Sequence, residues 1–322
     1  MISENSIITV FGGTGFVGRH VIWQLAKTGA TIRVATRVPK RALFLKPAGT
    51  VGQIIPFFCD INNDSSVRTV MAGATHAVNL VSILNQCGKN TFQRVNVEAA
   101  ERVARIANEE QLDTLVHISA LGTSADSLSE YARSKAEGEK RARAAFSRTV
   151  TLRPGVVFGP EDEFFNRFAA MARTAPALPL IGGGRTKLQP VYAGDVAQAV
   201  LNIIASPDIE KFDGKVFELA QPRVYTFREL MDVMQAQTGQ TACYVSLPFG
   251  IAKIIGAFAG LLPGKPLTCD QVKSLQRDSV ATPGAPGLAE LGVEATALES
   301  ILPTYLRQYR AGGAYMPKKQ VP

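Results

Sequence analysis

Glycine stands at positions 12, 15 and 18 in the run Val10-Phe11-Gly12-Gly13-Thr14-Gly15-Phe16-Val17-Gly18, a G-x-x-G-x-x-G spacing. Such glycines let a chain turn sharply, bring its backbone against a pyrophosphate and pack the next helix on the preceding strand. A helix beginning at Phe16 would then offer free N–H groups and the positive end of its dipole to phosphates. That chemistry is dinucleotide binding, expected of Gly12, Thr14, Gly15, Phe16, Val17 and Gly18. An Asp or Glu about 20 residues further on would hydrogen-bond the adenosine ribose and repel a 2′-phosphate. Here the neighbourhood is Thr36 and Arg37, followed by Lys40 and Arg41. Guanidinium pairs with phosphate through two parallel bonds, so the expected cofactor is NADPH rather than NADH. Tyr131 and Lys135 form a second pair: at i and i+4 they share a helix face, and the lysine can ease proton loss from the phenol. His76 and His117 show no carboxylate partner in the sequence and are read as structural. No His, Cys, Asp or Glu spacing suggests a metal site.

These residues need a scaffold of alternating strands and helices. Short apolar runs at Ile7–Phe11, Thr31–Thr36, Ile54–Cys59, Ala77–Ser82, Thr114–Ser119 and Thr149–Leu152 read as strands. Helical patterns separate them, from Phe16 to Lys27 and over Thr91–Glu110 among others. Strands apolar on both faces predict an α/β fold, a parallel sheet covered by helices. Beyond Arg153 the pattern loosens into proline and glycine clusters, with helices expected near Phe164–Arg173, Asp195–Ala205 and Phe227–Thr238. The expected division is a nucleotide-binding domain over 1–153 and a smaller α/β region over 154–322 for substrate or partner, some of whose segments return to the sheet.

Composition narrows the class. With 46% hydrophobic and 19% charged residues, the 322-residue chain is neither disordered nor collagen-like. No apolar stretch reaches the roughly 18 residues of a membrane span. The strand pattern begins almost at the N-terminus, so no signal or transit peptide is expected. Four cysteines without a CxxC spacing argue against zinc or disulfides and for a reducing compartment. The net charge of +8 gathers at the two ends. Arg307, Arg310, Lys318 and Lys319 form a basic tail that suits an acidic partner or an anionic membrane surface. No nucleic-acid recognition motif is present. The stretch Leu247–Leu262 is nearly all apolar, with Lys253 its one charge. It suits a membrane surface, a partner, or a buried helix.

As an ordered set, GGTGFVG at 12–18, Asp60, Asn96-Val97-Glu98, Tyr131-Ala132-Arg133-Ser134-Lys135 and Arg153-Pro154-Gly155-Val156-Val157-Phe158-Gly159-Pro160 resemble the extended short-chain dehydrogenase/reductases over residues 1–205. That resemblance implies a Rossmann-type doubly wound sheet. It places Asp60 and Ile61 near the adenine and Tyr131 and Lys135 beside the nicotinamide ribose, with Leu80, Val81, Ser119, Pro154 and Val156 completing the cofactor set. Members take a catalytic serine about two residues beyond the first Ser after the strand, which here is Leu121. Leucine cannot hydrogen-bond a carbonyl. Ser119, Thr123 or Ser124 replaces it only in a rearranged loop, so the catalytic set looks incomplete.

The runs 130–139 and 188–197, with Leu267-Thr268-Cys269-Asp270-Gln271-Val272, Leu275 and Asp278, are similar to an atypical branch. That branch is the nucleotide-binding accessory subunits of respiratory complex I. The likeness runs along nearly the whole chain. It implies tightly bound NADPH in a structural role, core complex I subunits as partners and no independent catalysis. It also implies a peripheral position on the cytoplasmic side of a bacterial inner membrane, or on the matrix side in a mitochondrion. The alternative is a free-standing NADPH-dependent reductase or epimerase using Tyr131 and Lys135.

Overall fold

The computed structural model describes residues 2, 4–260, 267–310 and 313. The chain divides into two compact units: 1–154 with 193–219 and 283–294, and 155–192 with 220–282 and 295–322.

The first unit is built on seven parallel strands. They are β1 (Ile7–Phe11), β2 (Thr31–Thr36), β3 (Ile54–Phe58), β4 (His76–Asn79), β5 (Thr114–Ile118), β6 (Thr149–Pro154) and a seventh, Val216–Leu219. Their order across the sheet is seventh-β6-β5-β4-β1-β2-β3. The chain leaves β1 toward β2 and β3, then returns to β1's other side with β4. The reversal between β1 and β4 is where a doubly wound sheet opens a crevice at its C-terminal edge. Full burial of β4 and β5 explains their apolar runs. The fold is Rossmann-type α/β.

Helices α1 (Phe16–Ala26), α2 (Asp64–Met71), α3 (Ala99–Glu109) and α4 (Glu130–Ala145) connect the strands. Phe11, Ala35, Ala77 and Leu115 share a core with Val67, Val70 and Met71 of α2, Val103 and Ile106 of α3 and Ala142 of α4. Helix α1 packs on the helix Ala193–Ile204. Two elements differ from the sequence reading. Strand β4 ends at Asn79 rather than at residue 82, because Asn79 Oδ1 accepts the Val81 N–H at 3.1 Å and turns the chain out of the sheet. The helix expected over 91–110 begins as a π-helix, Gln93–Glu98, that runs into α3.

The sheet's edges are closed differently. Ile32 N–H bonds to Gln53 O and Cys59 N–H to Thr36 O, so the odd residues of β3 face β2. Pro56, on the open side, has no N–H to offer. At the other edge, Glu218 N–H bonds to Pro286 O at 2.8 Å.

The second unit carries three two-stranded pairings: Val157–Phe158 with Val191–Tyr192, Lys187–Leu188 with Tyr225–Thr226, and Ala177–Ile181 with Cys243–Leu247. Its core joins Phe158, Phe165, Phe227, Leu230, Leu302 and Leu306. The Tyr305 hydroxyl donates to the buried Asp162 carboxylate, which also accepts the Gly159 and Asn166 N–H groups. The helix Phe249–Ala259 buries Ala252 and Gly256 and exposes Ile251, Ile254, Ile255 and Phe258, the last by 72%. The buried-helix alternative for that stretch therefore fails over its described part; Leu261 and Leu262, like Lys318 and Lys319, lie outside the described residues. No described helix is long and apolar enough to cross a membrane.

Candidate nucleotide-binding site

Strand β1 delivers the chain into a left-handed turn at Gly12, φ +80°. Gly15 N–H bonds back to Gly12 O at 3.0 Å. Gly15 is the N-cap of α1, makes no side-chain cap, and no acid follows in the first turn. Nothing anionic therefore competes for the helix's positive end. A Cβ on Gly18 would lie 2.3 Å from Gly12 O and 2.7 Å from Gly13 Cα, so only glycine lets α1 sit this close to the loop. The loop also touches the segment after β4: Leu80 N–H bonds to Phe11 O, and a Cβ on Gly12 would meet the Leu80 carbonyl carbon at 3.2 Å. Gly12, Leu80 and Val81 are thereby brought together.

Past β2, the 3₁₀ segment Pro39–Ala48 carries Lys40 and Arg41. Arg37, Lys40 and Arg41 are exposed, and among the described residues their side chains make no ion pair or hydrogen bond. Asp60, past β3, turns its carboxylate back onto the Asn62 backbone and side-chain N–H groups, at 3.0 and 3.2 Å. Ile61 is half-buried beside it.

On α4, Ser129 caps the helix, and Tyr131 and Lys135 follow in its first two turns. Lys135 is 2% exposed, and its Nζ donates to Ile118 O at 2.7 Å. Burial pushes it down to about 8 against the pull of Glu139. Burial raises the Tyr131 phenol, against a side-chain hydrogen bond with Ser82 that lowers it. Ser119 N–H bonds to Leu152 O, while its buried hydroxyl has no partner among the described residues. Leu121 is buried, its N–H on Pro154 O at the end of β6. The Thr123 hydroxyl is likewise buried without a partner, and Ser124 Oγ accepts the Asp126 N–H at 3.3 Å. Val156 falls in the second unit.

Beneath α4 a half-buried arginine meets two buried carboxylates. Arg153 bonds both carboxylate oxygens of Glu139 at 2.7 and 3.1 Å and reaches Glu218 at 3.3 Å. Burial opposes the guanidinium's charge, and the two carboxylates outweigh it. His117 is pushed down to about 3, chiefly by burial and then by Lys135, so it stays neutral. His76 does have a carboxylate nearby: Asp113, which precedes β5, is 4.0 Å away. Burial still lowers His76. Among the described residues no group of His, Cys, Asp and Glu could hold a metal.

Sequence reasoning missed Ser82 and the work of Asn96. Asn96, 2% exposed on the π-helix, accepts the Ile83 N–H and the Ser82 hydroxyl on Oδ1 and donates from Nδ2 to Ser134 Oγ. The Asn96-Val97-Glu98 run was the one available signal.

A dinucleotide fits this arrangement on two counts: the glycine cradle with its uncapped helix, and the orphaned Ser119 hydroxyl, which a ligand can satisfy. Gly12, Thr14, Gly15, Phe16, Val17 and Gly18 would hold the phosphates, and Tyr131 and Lys135 a sugar.

Residues 8–220 match the NAD dependent epimerase/dehydratase family. The NADH dehydrogenase (ubiquinone) 1 alpha subcomplex subunit 9, mitochondrial, of Arabidopsis thaliana is 34% identical over 318 residues, which are 95% of this chain and 79% of that protein. The Mus musculus protein of the same name is 32% identical over 94% of this chain and 80% of its own length. An Escherichia coli NADPH-dependent quinone oxidoreductase, solved with NADPH, shares the fold at TM-score 0.71 and 21% identity, covering 91% of this chain and 97% of that one. The chain belongs to the NAD(P)-binding epimerase/dehydratase family, in the branch that holds subunit 9 of the NADH dehydrogenase alpha subcomplex.

Proposed function

We propose that the protein is an accessory subunit of a respiratory NADH:quinone oxidoreductase, docked on its core subunits at the cytoplasmic face of the membrane, with NADPH held as a structural ligand. The observation that carries this reading is an intact nucleotide cradle beside a buried leucine. Leu121 stands where the family's carbonyl-polarising serine is expected, and a missing donor of that kind can lower a rate by roughly a hundredfold or more. Bound NADPH would contribute binding free energy to the native fold. The exposed apolar face of the helix Phe249–Ala259, with Lys253 on the same helix, suits a partner or the membrane surface. A reductase or epimerase remains the second reading, favoured by Tyr131 and Lys135 standing one turn apart on α4.

Tyr131→Phe separates the two. On the accessory reading the variant, expressed in a strain lacking the protein, gives near-normal assembly and near-normal NADH:quinone turnover. Normal assembly with abolished turnover selects the enzyme reading. For the cofactor, Arg37→Asp turns a phosphate contact into a repulsion. NADPH affinity should fall roughly ten- to a hundredfold in a binding titration while NADH affinity holds or rises. Equal loss of both nucleotides rejects Arg37 as the 2′-phosphate reader.

A further inference from the structure

We propose that the exposed face of the helix Phe249–Ala259 lies in the interfacial layer of an anionic bilayer, its apolar stripe among the upper acyl chains and Lys253 among the headgroups. This narrows the docking reading above and rests on it.

The helix has two faces. Ala252, Gly256 and the half-buried Ala259 point inward, at i, i+4 and i+7. A Cβ on Gly256 would meet Cys269 N and the Thr268 carbonyl carbon, each at 3.0 Å, so the helix lies against the start of its neighbour, Cys269–Ser274. Cys269 Sγ donates to Lys253 O at 3.1 Å, and Ala252 joins Ile181 and Val272 in a small core. With that side fixed, Ile251, Ile254, Ile255 and Phe258 stand outward, at i, i+3, i+4 and i+7. The usual surface helix is inverted: the large side chains meet water and the small ones meet protein.

The occupant follows from what the stripe lacks. From 247 to 262, Lys253 is the only side chain able to hydrogen-bond. A protein partner is held in register by about one hydrogen bond per 100–200 Å² of interface, and its strongest contacts favour Trp, Tyr and Arg. The stripe supplies none of these. Acyl chains need no register. Charge sets the kind of surface. No acid occurs between Asp232 and Asp270, a stretch that carries Lys253 and Lys265. The neighbouring helix adds Asp270 and Lys273, which offset each other. At about 100° per residue, Lys253 falls at the edge of the exposed arc, beyond Ala257, where its ammonium can reach headgroup phosphates. Eleven residues make a helix about 16 Å long, roughly half a bilayer's hydrocarbon thickness, so it lies along the surface and not across it.

The test uses the full chain and vesicles of phosphatidylcholine with and without phosphatidylglycerol. Trp23, the chain's one tryptophan, is replaced by Phe, and Phe258→Trp then reports the stripe. Its emission should shift to the blue on vesicles and be quenched by lipids brominated along the acyl chain. Ile255→Asp should lower the vesicle partition coefficient at least about tenfold, and Ile255→Leu should retain it. Melting temperatures should stay unchanged, because the side chain is exposed. Lys253→Glu should weaken partition about fivefold, and only on vesicles that contain phosphatidylglycerol. A wild type that does not partition, or an emission that stays unquenched, overturns the proposal. So does an Ile255→Asp protein that binds vesicles normally yet drops out of the respiratory complex, or that loses a dimer formed by the wild type. The stripe then meets a host subunit or a second copy of this chain. If instead the accessory reading fails, the wild type does not co-purify with the respiratory complex while vesicle binding persists.

Discussion

Gly18→Val is expected to leave the protein without nucleotide and with a much lower melting temperature. The added Cβ would lie 2.3 Å from Gly12 O, 2.7 Å from Gly13 Cα and 2.9 Å from Gly13 C, all backbone atoms with no rotamer to change. The first turn of α1 must move off the loop. Overpacking of this kind costs about 1–3 kcal/mol or more, and here it also breaks the alignment of the helix start with the phosphates. Gly15→Ala is the informative control. Its Cβ would meet only Gly12 O, at 3.3 Å, and its φ of −78° suits any residue. That variant should fold but bind nucleotide more weakly, because the new methyl stands where the backbone approaches the pyrophosphate. Melting with and without added NADPH, together with the nucleotide retained through gel filtration, separates the effects. A Gly18→Val protein that retains nucleotide and melts like the wild type would refute this account of the loop.

Arg153→Leu should be the most destabilising change under α4. Glu139 and Glu218 both turn their carboxylates to this one guanidinium, with side chains 4% and 10% exposed. Removing the cation leaves two buried carboxylates without the guanidinium they share, a loss of up to about 3–5 kcal/mol for a broken buried pair. The sign of its pH dependence is fixed. Stranded carboxylates have folded pKa values above their unfolded ones, so the folded state of the variant binds the extra protons. Its deficit against wild type should shrink as the pH falls below the raised values and widen above them. Denaturant unfolding near pH 5 and pH 8 checks this; a deficit that is equal at both, or larger at the lower pH, would refute this account of the ion pair.

The strand runs and the glycine loop were legible because each is a local pattern: an apolar run bounded by turns, then glycines before a helix. The places where reading failed are set by contacts between distant segments. Ala77–Ser82 is apolar enough to continue as a strand, and only the bond from the Val81 N–H to Asn79 Oδ1 shows that it leaves the sheet. The π-helix at Gln93–Glu98 has no breaker residue to announce it. Its cause is tertiary: Asn96 must reach residues 82 and 83 on one side and Ser134 on the other. Asp113 was invisible as a partner for His76 because parallel pairing of β4 and β5 is what sets His76 beside Thr114. The helix Phe249–Ala259 reads as core by composition alone, yet most of its large side chains face outward.

The two closed sheet edges limit how this chain can join anything larger. Pro56 removes the middle one of the three donors that β3 would turn outward, and Pro286 already occupies the Glu218 N–H at the opposite margin. Strand addition, the route by which many subunits fuse into a shared sheet, is weakened at both margins. A host would then grip chiefly side chains. A subunit held only through side chains would leave its host as a folded piece, so its exchange would follow surface affinity rather than unfolding.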